Sequence, residues 1–405
     1  MSHEVEYEPV SVKELLAEMK DTAELLIDLS YSAVLLGSDE VAEEVLELEE
    51  RMDVLQLRAR MSLLMAARSP EDAEALAPVL GIVGAAEKIS DAAGDIAKVV
   101  LEDIGLPDEM RAALPESVET LVRATARPDT PATGRTLGEL NLETDTGVRI
   151  IAIRRQGDWL PNPDHETRVE AGDVTLLRGP EAGVVEAYPK LTGEEYIPPD
   201  SPEAAIDDLE RAVDSIVLMK DMAELAVDIA YGAVLFDSDG LAEEVVELEA
   251  EVDALQSRFE AWVLQAAADV NDPVSLRGLV HLATSTEIIS DAALEISEGV
   301  LRGLGTHPVI QEAVLESDEV IVRLPIAEGS RLDGATLGGQ MVKTETGMRV
   351  IAVRRGEASA DETRLGHGPG DWVVSPGPTT ALNAGDSIIA KGTRAGAERL
   401  ASLVS

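Results

Sequence analysis

The sequence predicts an α+β multidomain protein built from two copies of one unit. Each unit is an antiparallel three-helix bundle followed by a small α+β module. Two observations carry this reading. First, the chain of 405 residues repeats itself at an offset of 200: MKDTAELLIDLSYSAVL at Met19–Leu35 returns as MKDMAELAVDIAYGAVL at Met219–Leu235. Likewise TGVRIIAIRR from Thr146 returns as TGMRVIAVRR from Thr346. Second, each copy changes character part-way. A long stretch rich in Ala, Leu, Val and Glu, with few interior Gly or Pro, gives way to β-branched runs separated by Gly turns.

The elements follow in order. Copy one predicts helices near 10–36, 39–68 and 71–103. Ser38 and Ser69, each followed closely by acids, supply N-caps. The short connections imply antiparallel neighbours. From about residue 118, VETLVRAT, RIIAIRR and VTLLRG read as strands, and PEAGVVEAYPKL as a closing helix. The AGD at Ala171–Asp173 is a tight turn into the last strand. Copy two predicts helices near 204–236, 239–268 and 272–303, then strands from about 318. It also carries an extra Gly/Pro-rich stretch, GEASADETRLGHGPGD. The expected division is bundle 1–115, module 116–192, linker 193–204, bundle 205–312 and module 313–405. The Pro pair and acids of TGEEYIPPDSPEAA mark the linker.

Composition excludes several function classes. The net charge is -45, from 78 acids against 33 basic residues, so a nucleic-acid surface is not expected. Acids are spread along the whole length and Lys is scarce, eight against 25 Arg. That pattern suits a high-salt cytoplasm, where screening removes self-repulsion. There is no Cys and only 2% aromatic residues, so neither thiolate chemistry nor base-stacking platforms are expected. The acidic start MSHEVEYEPV does not read as a signal peptide, and acids interrupt every apolar stretch. The expected location is cytoplasmic. The five His belong to no Ser/His/Asp motif, so no enzyme is expected.

Two features ask for a chemical reason. On a wheel of 100° per residue, Asp21, Glu24 and Asp28 fall within about 60° of one another in an otherwise apolar helix. Glu87, Asp91 and Asp95 form a like stripe on the third helix, and Glu287, Asp291 and Glu295 repeat it in copy two. Glu49/Asp53 and Glu249/Asp253 add pairs on the second helices. Like charges at i, i+4 repel by a few tenths of a kcal/mol. Either a cation bridges the stripes, or they are the solvated faces of amphipathic helices. The second feature is the pair Arg154-Arg155, repeated as Arg354-Arg355, at the end of an apolar strand. A guanidinium pair suits a phosphate, held bidentately, or a salt bridge to local acids.

The helical units resemble PhoU domains, three-helix bundles with Glu/Asp-x-x-x-Asp pairs that hold iron or divalent cations in some members. The resemblance implies metal ligands at Glu24, Asp28, Glu87, Asp91, Glu224, Asp228, Glu287 and Asp291. The strand modules resemble the C-terminal subdomain of RCK proteins, the TrkA-C domain. The matching residues are Arg155, Leu160-Pro161-Asn162-Pro163 and Gly172-Asp173. In copy two they are Arg355, Val373-Val374-Ser375-Pro376 and Gly385-Asp386. Several members bind cyclic di-AMP between two such subdomains. The resemblance therefore implies a ligand set of Arg154, Arg155, Leu160, Asn162, Pro163, Arg354, Arg355, Ser375 and Pro376. The family's Rossmann half is missing, since no G-x-G-x-x-G follows a strand.

The expected function is that of a soluble regulatory subunit of a potassium or other cation channel or transporter. Cyclic di-AMP or a related nucleotide would gate it at the seam of paired modules, in a homodimer or an intramolecular pseudo-dimer. The alternatives are a PhoU-type regulator of phosphate transport and a metal-binding helical scaffold.

Overall fold

The computed structural model describes residues 11–105, 120–156, 158–161, 163, 165–179, 181–197, 207–269, 272–303, 307–316, 320–356, 372–374 and 376–405. The first bundle is α1 (Val12–Leu36), α2 (Asp39–Ala66) and α3 (Pro70–Leu101). Ser38 Oγ accepts from the Val41 amide and Ser69 Oγ from the Asp72 amide, the caps expected at α2 and α3. Gly37 ends α1 in the left-handed region at φ 55, which costs a Gly nothing. The second bundle repeats the plan with α7 (Asp207–Phe236), α8 (Asp239–Asp269) and α9 (Arg277–Leu301), a 3₁₀ turn at Pro273–Leu276 leading into α9. A further helix, α10 (Pro308–Glu316), packs across α1.

The bundles meet along α3 and α9, which run antiparallel. The Gly278 amide donates to the Gly105 carbonyl, and Lys88 of one copy pairs with Glu295 of the other. Near the opposite end a Cβ on Gly299 would come 3.0 Å from Pro78 Cβ, so a small residue there admits the close approach. The apolar faces of both bundles merge into one core.

The first module holds β1 (Thr120–Thr125), α4 (Leu137–Leu140), α5 (Leu142–Thr146), β2 (Arg149–Arg155), β3 (Asp158–Pro161), β4 (Val174–Gly179) and α6 (Glu181–Thr192). The second holds β5 (Val320–Pro325), α11 (Val342–Thr346), β6 (Arg349–Arg354), β7 (Trp372–Val374), β8 (Ser387–Gly392) and α12 (Arg394–Val404). Each sheet is antiparallel, in the order β1-β4-β2-β3 or β5-β8-β6-β7. Both are covered on both faces. Ile151, Ala152, Trp159 and Leu176 join the helical core, while Ile150, Ile153 and Leu177 pack under Val184, Ala187 and Leu191 of α6. A sheet buried on two sides explains why RIIAI is continuously apolar. A bulge between Ile150 and Ala152, repeated between Val350 and Ala352, interrupts strict alternation.

Candidate functional site

The carboxylate stripes of α1 and α7 face each other across a gap between the copies. Lys391 of β8 pairs with Asp228 of α7 at 2.5 Å and with Glu24 of α1 at 3.3 Å. Arg178 of β4 pairs with Asp28 of α1 at 2.5 Å and reaches Glu224 of α7 at 3.9 Å. Equivalent cations thus straddle the two copies in an approximately two-fold arrangement. Lys20 and Lys220 lie on the same helices and hold Glu24 and Glu224 at 2.8 and 2.7 Å. Arg349 of β6 adds a contact to Glu224 at 3.5 Å. The repulsion within each stripe is therefore offset by side chains of the protein.

This arrangement sets the charge states. Burial works against ionisation of Glu224, yet Lys220, Arg178 and Arg349 outweigh it and hold its carboxyl well below the usual range. At Asp228, only 1% exposed, burial wins over Lys391 and Arg349 and pushes the carboxyl up to about 6. Among the described residues its buried Oδ2 has no hydrogen-bond partner, while Oδ1 takes the Lys391 ammonium. Burial also pushes the hydroxyls of Tyr31 and Tyr231 upward. Tyr31 bonds Thr286 across the copies at 2.5 Å, and Lys20 lies over the Tyr231 ring at 5.4 Å.

Above the stripes opens a cleft of about 1170 Å³. Its floor is α1 and α7, with Ile27, Leu218 and Leu225 among the charges. Arg149 and Arg178 enter from the first module. The second contributes Lys343, Arg349, Lys391 and Arg399, and α8 forms an acidic wall of Glu244, Glu247 and Glu251. The modules thus face one cleft from separate sheets, with no strand shared.

The arginines singled out from the sequence lie at the other end of β2 and β6. Arg155 donates to both oxygens of Asp173 at 2.8 and 2.7 Å and to the Arg168 carbonyl. Arg355, 8% exposed, donates to Asp386 and to the Ala381 carbonyl, both at 2.8 Å. The strand-end Arg and the Gly-Asp turn are thus two halves of one internal ion pair. Gly172 (φ 94) and Gly385 (φ 89) allow the turn that aims the Asp. Arg154 leaves its module and grips Glu44 at 2.5 Å and Glu47 at 2.8 Å on α2. Arg354 lies over the Trp372 ring at 5.8 Å. Leu160 is exposed, and Pro163 and Pro376 are partly so. Asn162 and Ser375 lie outside the described residues.

The remaining expected metal ligands gather between second and third helices. Glu249, Asp253 and Asp291 bring carboxylate oxygens within 4.8 Å of one another, a donor set that fits a hard cation. Glu287 adjoins them, its carboxyl raised by burial and by Asp291. Copy one differs. Lys98 reaches Glu49 at 3.7 Å and Asp95 at 3.0 Å, and Arg60 pairs with Glu87 at 3.1 Å. Asp91 adjoins this group, its carboxyl raised by burial and by Glu87. The counterparts of Lys98 and Arg60 are Glu298 and Glu260, a reversal visible in the aligned copies but not in the spacing of the acid pairs.

The PhoU domain family matches residues 16–100 and 216–300, and the TrkA-C domain family residues 121–192 and 321–405. The chain is two PhoU domains, each followed by a TrkA-C domain. A comparison with curated proteins finds no match. Among solved structures, PhoU from Pseudomonas aeruginosa is similar at 13% identity and TM-score 0.43, over 72% of this chain and 96% of that one. The GsuK channel bound to NAD is similar at 14% identity and TM-score 0.19, over 71% of this chain and 53% of that one. The GsuK RCK domain gives 15% identity and TM-score 0.18, over 71% of this chain and 64% of that one. Each TrkA-C domain sits with one sheet face on its PhoU bundle. Among the described residues no helix is long and apolar enough to cross a membrane.

Proposed function

We propose that the chain is a non-enzymatic regulatory subunit of a potassium or other cation channel or transporter. A small anionic ligand, cyclic di-AMP or a related nucleotide, governs it at the seam between its TrkA-C domains. One observation carries the reading: the cleft is bounded by both TrkA-C domains and floored by one helix of each PhoU domain. A ligand there touches all four domains, and it shifts their arrangement by its differential affinity for two states. The two-domain seam is complete within one chain, so the intramolecular pseudo-dimer is the working unit.

Calorimetry in multimolar salt against a nucleotide panel that includes cyclic di-AMP tests this. One ligand per chain is expected, with affinity lost in Arg149→Ala with Lys343→Ala. Loss confined to Arg155→Ala with Asn162→Ala places the ligand at the TrkA-C signature instead. No binding from the panel removes the nucleotide and leaves PhoU-type control of phosphate transport as the reading to pursue. The carboxylate cluster Glu249/Asp253/Asp291 favours a second role, in which the second PhoU domain holds a divalent or iron cation.

A further inference from the structure

The two TrkA-C domains dock on their bundles differently, although the contact residues are nearly the same. In copy one Arg123 of β1 holds Glu40 at 2.9 Å and Glu44 at 3.3 Å, and Arg154 holds Glu44 and Glu47. Two arginines thus clamp three acids at i, i+4 and i+7 on α2. Glu44 is 2% exposed, and burial pushes its carboxyl up against the pull of Arg154 and Arg123. Copy two retains Arg323, Arg354, Glu244 and Glu247 at the equivalent positions and changes only Glu40, to Gly240. There Arg323 and Arg354 are exposed, while Glu244 and Glu247 line the cleft. Trp372 answers to Trp159 of copy one, and both are buried, but β7 with Trp372 meets α8 whereas β3 with Trp159 meets α1. A Cβ on Gly240 would come 2.8 Å from Trp372 Nε1, and Arg354 lies over the Trp372 ring.

We propose that these are two positions of one movement: an arginine clamp in copy one, a tryptophan wedge in copy two, with the second TrkA-C domain closing the cleft by passing from wedge to clamp. The acids that clamp demands are the wall the cleft now exposes, so closure and occupancy of the cleft exclude each other. Gly240 sets the balance, because it both makes room for the indole and removes the first acid of the clamp. A ligand filling the cleft holds the domain open; an empty cleft permits the clamp.

The Cys-free full chain allows a direct test, with spin labels at Glu251→Cys and Glu345→Cys on facing walls of the cleft. Gly240→Glu, which restores the copy-one residue, is expected to shorten the mean label distance by several ångström. Trp372→Ala, which removes the wedge by another route, is expected to do the same. An unchanged distance in both variants, with helical content intact by circular dichroism, overturns the proposal. So does a shortening in Gly240→Glu that survives Glu244→Gln with Glu247→Gln, because closure then does not use the clamp. No ligand enters the measurement, so its outcome is separate from that of the nucleotide reading.

Discussion

At the scale of the residue, the ion pair Arg355–Asp386 shows how a signature can be structural. Asp386 is fully buried, at 0%, and its oxygens also accept from the Gly356 and Asn383 amides. Removing one partner of such a pair leaves an uncompensated buried charge, which costs about 3–5 kcal/mol. Arg355→Ala is therefore expected to destabilise the second TrkA-C domain by that amount in urea titration. Arg355→Met with Asp386→Asn, which keeps an acceptor for the Gly356 and Asn383 amides, is expected to recover part of the loss. Equal losses in the single and double variants would show that the charge is not the cause. At Asp228 the expectation concerns pH. Its folded pKa, about 6, lies above its ordinary 3.8, so the native state binds the proton more tightly. The stability it contributes is present in acid and is lost as pH rises through that window, by up to about 3 kcal/mol. Asp228→Asn is expected to flatten this part of the stability–pH curve between pH 4 and 7. A curve of unchanged slope refutes it.

At the scale of the element, the helices and strands were legible because their signals are local. Ser38 and Ser69 cap where their spacing says they should, and RIIAI is buried because both faces of its sheet are covered. The short helices α4, α5 and α11 carry too little periodicity to be read, and α10 follows a Gly-rich stretch of sequence that hides it. The carboxylate stripes were visible, but what they meet was not. Lys20 and Lys220 lie one turn from Glu24 and Glu224, but Asp28 meets Arg178, 150 residues away in sequence. The third-helix stripes divide the copies. Lys98 supplies an internal cation in copy one, whereas copy two has Glu298 there. Divalent-cation titration by calorimetry is expected to find a site that Asp253→Asn with Asp291→Asn removes and Asp53→Asn leaves alone. Lys98→Glu is expected to add a second site in copy one. Loss of binding with Asp53→Asn would contradict this asymmetry.

At the scale of the whole molecule, duplication has built a pseudo-dimer whose halves have diverged at the contacts between domains. The antiparallel α3–α9 seam and the shared charge cluster of α1 and α7 make one body from two repeats. Those cross-copy pairs are partly buried, 11–17% exposed at each side chain, and so incompletely screened. Arg178→Gln with Lys391→Gln is expected to separate one cooperative thermal transition into two, even in multimolar salt, as seen by calorimetry. A single unchanged transition would show that the helical seam alone couples the halves.

The repeat, the alternation of helical and strand modules, the caps and the acid stripes were set by the chain itself, because each depends on neighbours within a turn or a strand. The tertiary structure alone decided which charges meet. The ends of strands carry Arg178 and Lys391 to helices of both copies, Arg155 turns inward to its own Asp173, and Gly240 admits Trp372. Charges act over a few ångström of space and are indifferent to distance along the chain, so only the folded arrangement assigns their partners.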